Sequence, residues 1–175
     1  SRGIGYEIAL ALAGLGCNLV LHSRSMTHTE MVYHKVIALG VKAHMVEADL
    51  SSPSEVKMLL SQIDSLDIEI DVIFNNAGVQ TKYMTDYTDT PSEDFYTCFQ
   101  VNTIAPMMIC YHFIPKRVNK GFGRIINTTS GIQYEAEQVA YSASKAALDK
   151  CTTDLSSKYI GTDILINLVD PGWCR

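Results

Sequence analysis

The feature that most narrows the fold of this chain is an alternation. Short apolar runs and helix-period segments take turns from residue 6 to residue 169. Residues 6–15 carry Ile8, Leu12 and Leu15 on one helical stripe, closed by Gly16, and 17–21 follow as a strand-like run. Residues 29–39 read as a helix ended by Gly40, and 42–46 as the next strand. Within 54–63, Val56, Leu59, Leu60 and Ile63 share a face, and Ser52-Pro53 suits the start of that helix. A continuous apolar strand over 70–74 leads into a polar loop over 79–91. Ser92, with Glu93 and Asp94, opens a long helix running to about residue 116. Strands are expected at 123–128 and 164–169, with a helix at 139–158 whose stripe is Ser144, Leu148, Cys151 and Leu155. Strands spaced by helical crossovers predict an α/β fold with a parallel sheet. No repeat or linker interrupts the 175 residues, so one domain is expected.

Composition serves to exclude. Hydrophobic residues make up 47% and charged ones 19%, an ordinary globular balance. The net charge is −5 and no Lys/Arg-rich run occurs, which argues against nucleic acid or an anionic membrane as the main partner. Without a bilayer-length apolar stretch or a signal peptide, the expected location is cytoplasmic. Cys17, Cys98, Cys110, Cys151 and Cys174 fit no zinc or C-x-x-C spacing. They are expected to be reduced thiols, with Cys17, Cys110 and Cys151 packed as small hydrophobes and no metal bound. The chain opens at Ser1-Arg2-Gly3-Ile4-Gly5 as though in mid-loop and stops after Pro171-Gly172-Trp173-Cys174-Arg175, so further sequence is expected on both sides.

Two constellations carry chemistry. Gly3 and Gly5, opening an amphipathic helix, would let backbone N–H groups approach a pyrophosphate beside the helix's positive end. Tyr141-Ser142-Ala143-Ser144-Lys145 sets a phenol and an ammonium at i and i+4 on one helical face. A phenol is a poor acid or base at neutral pH, and a nearby cation lowers its pKa toward usefulness. Ser130 follows the strand 123–128, where its hydroxyl could bond a substrate oxygen at the sheet edge that receives ligands in open α/β folds.

With these motifs in order, the sequence resembles the short-chain dehydrogenase/reductase family, in its single-domain branch. Ser1-Arg2-Gly3-Ile4-Gly5 is similar to the second half of that family's glycine fingerprint. Asp49-Leu50 matches its adenine-contacting acidic position. Asn75-Asn76-Ala77-Gly78 matches its N-N-A-G signature, and Asn102, with Pro106 following, its catalytic asparagine. Ile126-Asn127-Thr128-Thr129-Ser130 matches the serine-bearing strand. Tyr141 through Lys145 matches Y-x-x-x-K, and Asn167 with Pro171-Gly172 matches N-x-x-x-P-G. The resemblance implies a doubly wound Rossmann-type parallel sheet with helices on both faces, its first and last strands missing here. It also implies hydride transfer between a nicotinamide and a carbonyl or secondary alcohol. Tyr141 would move the proton, Lys145 would lower its pKa and bind the nicotinamide ribose, Ser130 would polarise the substrate oxygen, and Asn102 would hold a water. Arg2, Gly3, Ile4, Gly5, Asp49, Leu50, Asn76, Ala77, Gly78, Pro171 and Gly172 would complete the cofactor site. Ten residues separate Ser130 from Tyr141, about two fewer than the family commonly has, and Thr129 is the alternative hydroxyl.

The strand over 18–22 is followed by Ser23-Arg24 and no carboxylate, so Arg24, Ser23 and Arg2 predict NADP(H) rather than NAD(H). A cofactor-binding regulatory protein, or a sugar-nucleotide epimerase or dehydratase sharing Y-x-x-x-K, are the alternative functions. The loop 79–91, with Gln80, Tyr83 and Tyr87, and the segment 131–138 are expected to rim a pocket for a small carbonyl or alcohol, with Tyr134 and Trp173 as aromatic walls. The family's habit implies a homodimer or homotetramer built through the helices near 95–116 and 139–158.

Overall fold

A computed structural model describes residues 2–132 and 134–172, so Ser1, Trp173 and Cys174 lie outside the described residues. The described chain forms two compact units, residues 2–68 and 69–172.

In the first unit the order is α1 (Gly3–Gly14), β1 (Leu19–Ser23), a 3-10 turn (Met26–His28), α2 (Glu30–Ala38), β2 (Ala43–Glu47) and α3 (Pro53–Ser65). β1 and β2 run parallel, from Leu19 opposite Ala43 to Ser23 opposite Glu47. Their core is Ala9, Ala13, Leu21, Val32, Val36 and Val41. The buried stripe of α1 is therefore centred on Ala9 and Ala13, whereas Leu15 is 80% exposed. Alanines at i and i+4 let a neighbouring helix approach closely, a role that a search for large apolar residues overlooks. Cys17 is exposed, contrary to expectation. The strand begins only at Leu19, and Cys17 belongs to the turn closing α1, its N–H donating to the Leu12 carbonyl at 3.0 Å. α3 starts as expected: the Ser52 hydroxyl caps the Glu55 N–H and Pro53 occupies the first turn.

In the second unit the order is β3 (Val72–Asn75), a 3-10 turn (Tyr87–Asp89), α4 (Ser92–Phe99), a π turn (Gln100–Ile104), α5 (Ala105–Lys120), β4 (Gly123–Thr128), a 3-10 turn (Ala136–Gln138), α6 (Val139–Ser157) and β5 (Ile164–Val169). The strands pair in parallel in the order β3-β4-β5. Met107, Cys110 and Ile114 of α5 and Leu148 of α6 pack on Ile125, Ile164 and Ile166, with Cys151 against them. Each such aliphatic side chain contributes roughly 1.5–3 kcal/mol on burial. Every pair of consecutive parallel strands is joined through a helix. The pairings β1–β2 and β3–β4–β5 are those of strands 2–3 and 4–5–6 in the doubly wound order 3-2-1-4-5-6.

The long helix expected from Ser92 to about residue 116 is broken. The π turn interrupts it, with the Ala105 N–H reaching back five residues to the Gln100 carbonyl. Such a turn inserts a residue into the helical spiral, and such insertions cluster at functional positions. Here it turns Asn102 and Thr103 inward, both buried. Pro106, which has no N–H to offer, sits where regular helix resumes. Among the described residues no helix is long and apolar enough to cross a membrane.

Candidate active site

The first unit gathers its candidate groups at the strand ends and the start of α1. Gly3 opens α1 at φ +57°, a left-handed conformation that favours glycine. No side chain caps the first-turn amides, and Arg2 beside them is exposed. The register from Leu19–Ala43 to Ser23–Glu47 carries Ser23-Arg24 and Asp49 to the same sheet edge. Ser23 is buried and its hydroxyl donates to the Ser25 carbonyl at 2.5 Å, so that proton is already committed. Arg24 is exposed. The Asp49 carboxylate accepts from the Ser51 N–H at 2.8 Å, and this bond, with a smaller contribution from Arg24, holds its pKa below the ordinary range. Glu55 accepts the Asp49 N–H at 2.7 Å, and Leu50 is buried.

In the second unit, polar side chains are built into the interior. Asn75 at the end of β3 donates to Asn127 of β4 at 2.8 Å, and Asn127 donates to the Thr152 hydroxyl of α6 at 2.9 Å. Thr152 passes its own proton to the Leu148 carbonyl at 2.7 Å. This chain ties two strands to α6, and sequence reading assigned no role to Asn127 or Thr152. The available signal was the inward period of β4, where Gly123, Ile125 and Asn127 alternate: an asparagine at a core position needs partners.

Asn102 behaves like a short strand segment. Its Oδ1 accepts from the Val79 N–H and its Nδ2 donates to the Val79 carbonyl, both at 2.8 Å, and Nδ2 also donates to Ser144 at 3.0 Å. Both amide hydrogens are thus taken by protein groups. The effect is to clamp the chain just after Asn76-Ala77-Gly78. A side chain at Gly78 would place its Cβ 3.2 Å from Asn102 Oδ1 and 3.5 Å from Lys145 Nζ, a tight approach to Asn102 that glycine relieves. The Thr103 hydroxyl donates to the Ser144 carbonyl at 2.7 Å, and the Ser144 hydroxyl to the Tyr141 carbonyl at 2.7 Å. The π turn is thereby bolted to the turn of α6 that carries Tyr141.

α6 presents Tyr141, half-buried, and Lys145, 4% exposed. Lys145 Nζ donates to the Thr128 carbonyl at 2.7 Å. Burial lowers its pKa from the ordinary 10.5 to about 8, against the opposing pull of Asp149. Most of the ammonium is still charged at neutral pH. Ser130 is half-buried just beyond β4, its Oγ accepting from the Ile132 N–H at 3.4 Å, a weak bond that leaves the hydroxyl proton free to donate. Thr129 donates its hydroxyl to Asp149, so it is not the spare hydroxyl that the shortened interval suggested.

The rim is partly tied down. Gln138 at the start of α6 donates to the Thr81 carbonyl at 3.0 Å, and the Met84 N–H reaches the Glu137 carbonyl at 3.4 Å. Tyr83 is exposed, and Tyr134 is fully exposed and walls nothing. At the end of β5, Asn167 pairs with Ile126, and the Gly172 N–H donates to Asp170 at 2.9 Å. Gly172, after Pro171, has φ +67°.

Comparison with known proteins places this geometry. The sequence profile described as short chain dehydrogenase matches residues 1–175. A short-chain type dehydrogenase/reductase of Picea abies is 33% identical over 98% of the chain and 67% of its own length. A metagenomic short-chain oxidoreductase crystallised in complex with NADP superposes with TM-score 0.90 at 29% identity, over 98% of this chain and 78% of that one. NAD+-bound xylitol dehydrogenase superposes with TM-score 0.87 at 28% identity, over 97% and 66%. The chain thus spans roughly two thirds to three quarters of the length of these relatives.

Proposed function

Because the chain belongs to the short-chain dehydrogenase family, we propose that it exchanges a hydride between NADP(H) and a carbonyl or secondary alcohol, with Tyr141 as the acid/base. The observation that carries this reading is Lys145: a buried, hydrogen-bonded ammonium one helical turn from a half-buried tyrosine. Burying a lysine costs free energy, and a buried lysine with a perturbed pKa marks a candidate functional site.

The residues of each unit, taken separately, suit part of a nicotinamide dinucleotide. Gly3, Ile4 and Gly5 offer uncapped amides to the pyrophosphate. Arg24, which the sequence places after β1 where no carboxylate stands, suits a 2′-phosphate together with Arg2, and Asp49 and Leu50 suit adenine. Ser23 can serve that phosphate only by surrendering its bond to Ser25. Asn76, Ala77, Gly78, Pro171 and Gly172 would border the nicotinamide half. When bound, the cofactor supplies the hydride; orientation and proton transfer are the protein's part. Lys145 places a positive charge one helical turn from Tyr141 and would reach the ribose hydroxyls. Ser130 donates to the substrate oxygen, so that oxygen meets two donors as charge develops on it. Asn102 and Thr103, through Ser144, hold the Tyr141 turn in register.

Exposed Tyr96, Ile104 and Tyr111 along α4, the π turn and α5 support a homodimer or homotetramer through these helices; sedimentation at several concentrations tests this. The functional reading is tested by NADPH oxidation with a panel of ketones and quinones. Turnover with NADPH, and tighter binding of NADPH than NADH, are expected. Binding without turnover across the panel would favour a regulatory role, and tighter NADH binding would overturn the NADP assignment.

A further inference from the structure

β4 ends in Thr128-Thr129-Ser130, and α6 holds two successive residues of this run through two opposite charges. The Lys145 ammonium donates to the Thr128 carbonyl at 2.7 Å. One helical turn on, the Asp149 carboxylate accepts the Thr129 hydroxyl. Thr129 is fixed from its other side as well, since its N–H donates to the Val169 carbonyl of β5 at 2.9 Å. Tyr141, Lys145 and Asp149 recur every four residues, which lines them along one face of α6. Ser130 is the next residue of the gripped segment.

Two ionisable groups act on Lys145: Asp149 from its own helix and Cys98 from α4. Burial pushes the Cys98 thiol up, so it is neutral near pH 7. From β4 the neighbour is a dipole, the Thr128 carbonyl. We propose that Asp149, aimed by the Thr129 hydroxyl, is the fixed counter-charge of the Lys145 ammonium and a positioning residue for the Tyr141–Lys145 pair. This rests on the reading that the pair moves the proton. A buried cation stripped of its counter-charge relieves the cost by losing its proton. A neutral Lys145 would present no positive charge to the residues along its face of α6. The segment 128–130 explains the coupling: the same short run that seats Lys145 also orients Asp149 and delivers Ser130.

The test reads Lys145 itself. The lysines are labelled at Cε and followed by NMR, with the Lys145 signal assigned by its loss in Lys145→Met. The midpoint, near pH 8 in the parent, should fall by on the order of one pH unit in Asp149→Asn, which keeps an acceptor for Thr129 but no charge. Thr129→Val should shift it by less in the same direction, and Thr129→Ser should restore it. The alkaline limb of kcat should move down with the midpoint while KM changes little. An unchanged midpoint in Asp149→Asn overturns the proposal, and so does a loss of thermal stability without a shift, the signature of a merely structural contact. If Asp149→Asn does not fold, Thr129→Val decides by the same criterion. The titration needs no turnover. A parent inactive on every carbonyl would therefore sink the functional reading while the counter-charge is judged on its own.

Discussion

The two units handle polar groups in opposite ways. In residues 2–68 the core cluster is apolar, built from alanine, leucine and valine, and the buried polar residues are only Ser23 and Thr29 among those described. Its candidate ligand groups, Arg2 and Arg24, stand in solvent. In residues 69–172 the interior holds Asn75, Asn102, Thr103, Arg117, Asn127, Thr128, Gln138, Ser144, Lys145 and Thr152, and several of these are linked in hydrogen-bonded chains. The difference follows from the work proposed for each. Groups that grip a phosphate can wait hydrated, because the ligand brings the opposite charge. Groups that shift a pKa must be desolvated and aimed before the substrate arrives, and each buried polar atom then needs a partner.

The comparison is most exposed to failure at Lys145. Replacing it with methionine should lower kcat/KM by roughly two to four orders of magnitude. The same change should stabilise the fold. The folded-state pKa of about 8 lies below the ordinary 10.5, so between those values the unfolded chain binds the extra proton, and the parent gains stability as pH rises through that window. Below pH 8 the buried ammonium costs the parent its full share. Lys145→Met should therefore be more stable at pH 7 by about 1–3 kcal/mol and lack the alkaline rise. Urea melts across pH 6–11 check both; a methionine variant less stable than the parent at pH 7 would break the contrast.

Next in size is Asn127→Leu. It strips partners from Asn75 and Thr152 inside the second unit, at a cost of about 3 kcal/mol in the same melts. Arg24→Ala in the first unit should cost less than about 0.5 kcal/mol. Equal losses would erase the distinction between the units. Arg24→Asp should instead act on binding, reversing the preference for NADPH over NADH by roughly 10- to 100-fold in fluorescence titrations while melting like the parent. Gly78→Ala falls between the two stability effects. Its Cβ would press on Asn102 Oδ1 at 3.2 Å, for a loss of about 1 kcal/mol and a fall in kcat larger than any change in KM for NADPH.

Much of this was legible in the sequence because local chemistry carried it. The strands 123–128 and 164–169, the i, i+4 relation of Tyr141 and Lys145, and the absence of a carboxylate after β1 are all short-range facts. What escaped was long-range or subtle. Asn75 meets Asn127 across 52 positions, and Asn102 meets Ser144 across 42, with no periodicity to announce either. The π turn at Gln100–Ile104 hides in helical text, since one inserted residue barely disturbs an apolar stripe. Leu15 and Cys17 were misplaced because hydrophobicity was credited where Ala9 and Ala13 do the packing and where a turn delays the strand. Thr129 looked like a spare hydroxyl until its partner Asp149 was visible.

The most direct measurement pairs two readings on Tyr141→Phe: NADPH affinity, and the rate of ketone reduction with saturating cofactor. The account predicts an affinity close to the parent's and a rate lower by at least about a hundredfold. A phenylalanine variant that reduces the ketone as fast as the parent would contradict it.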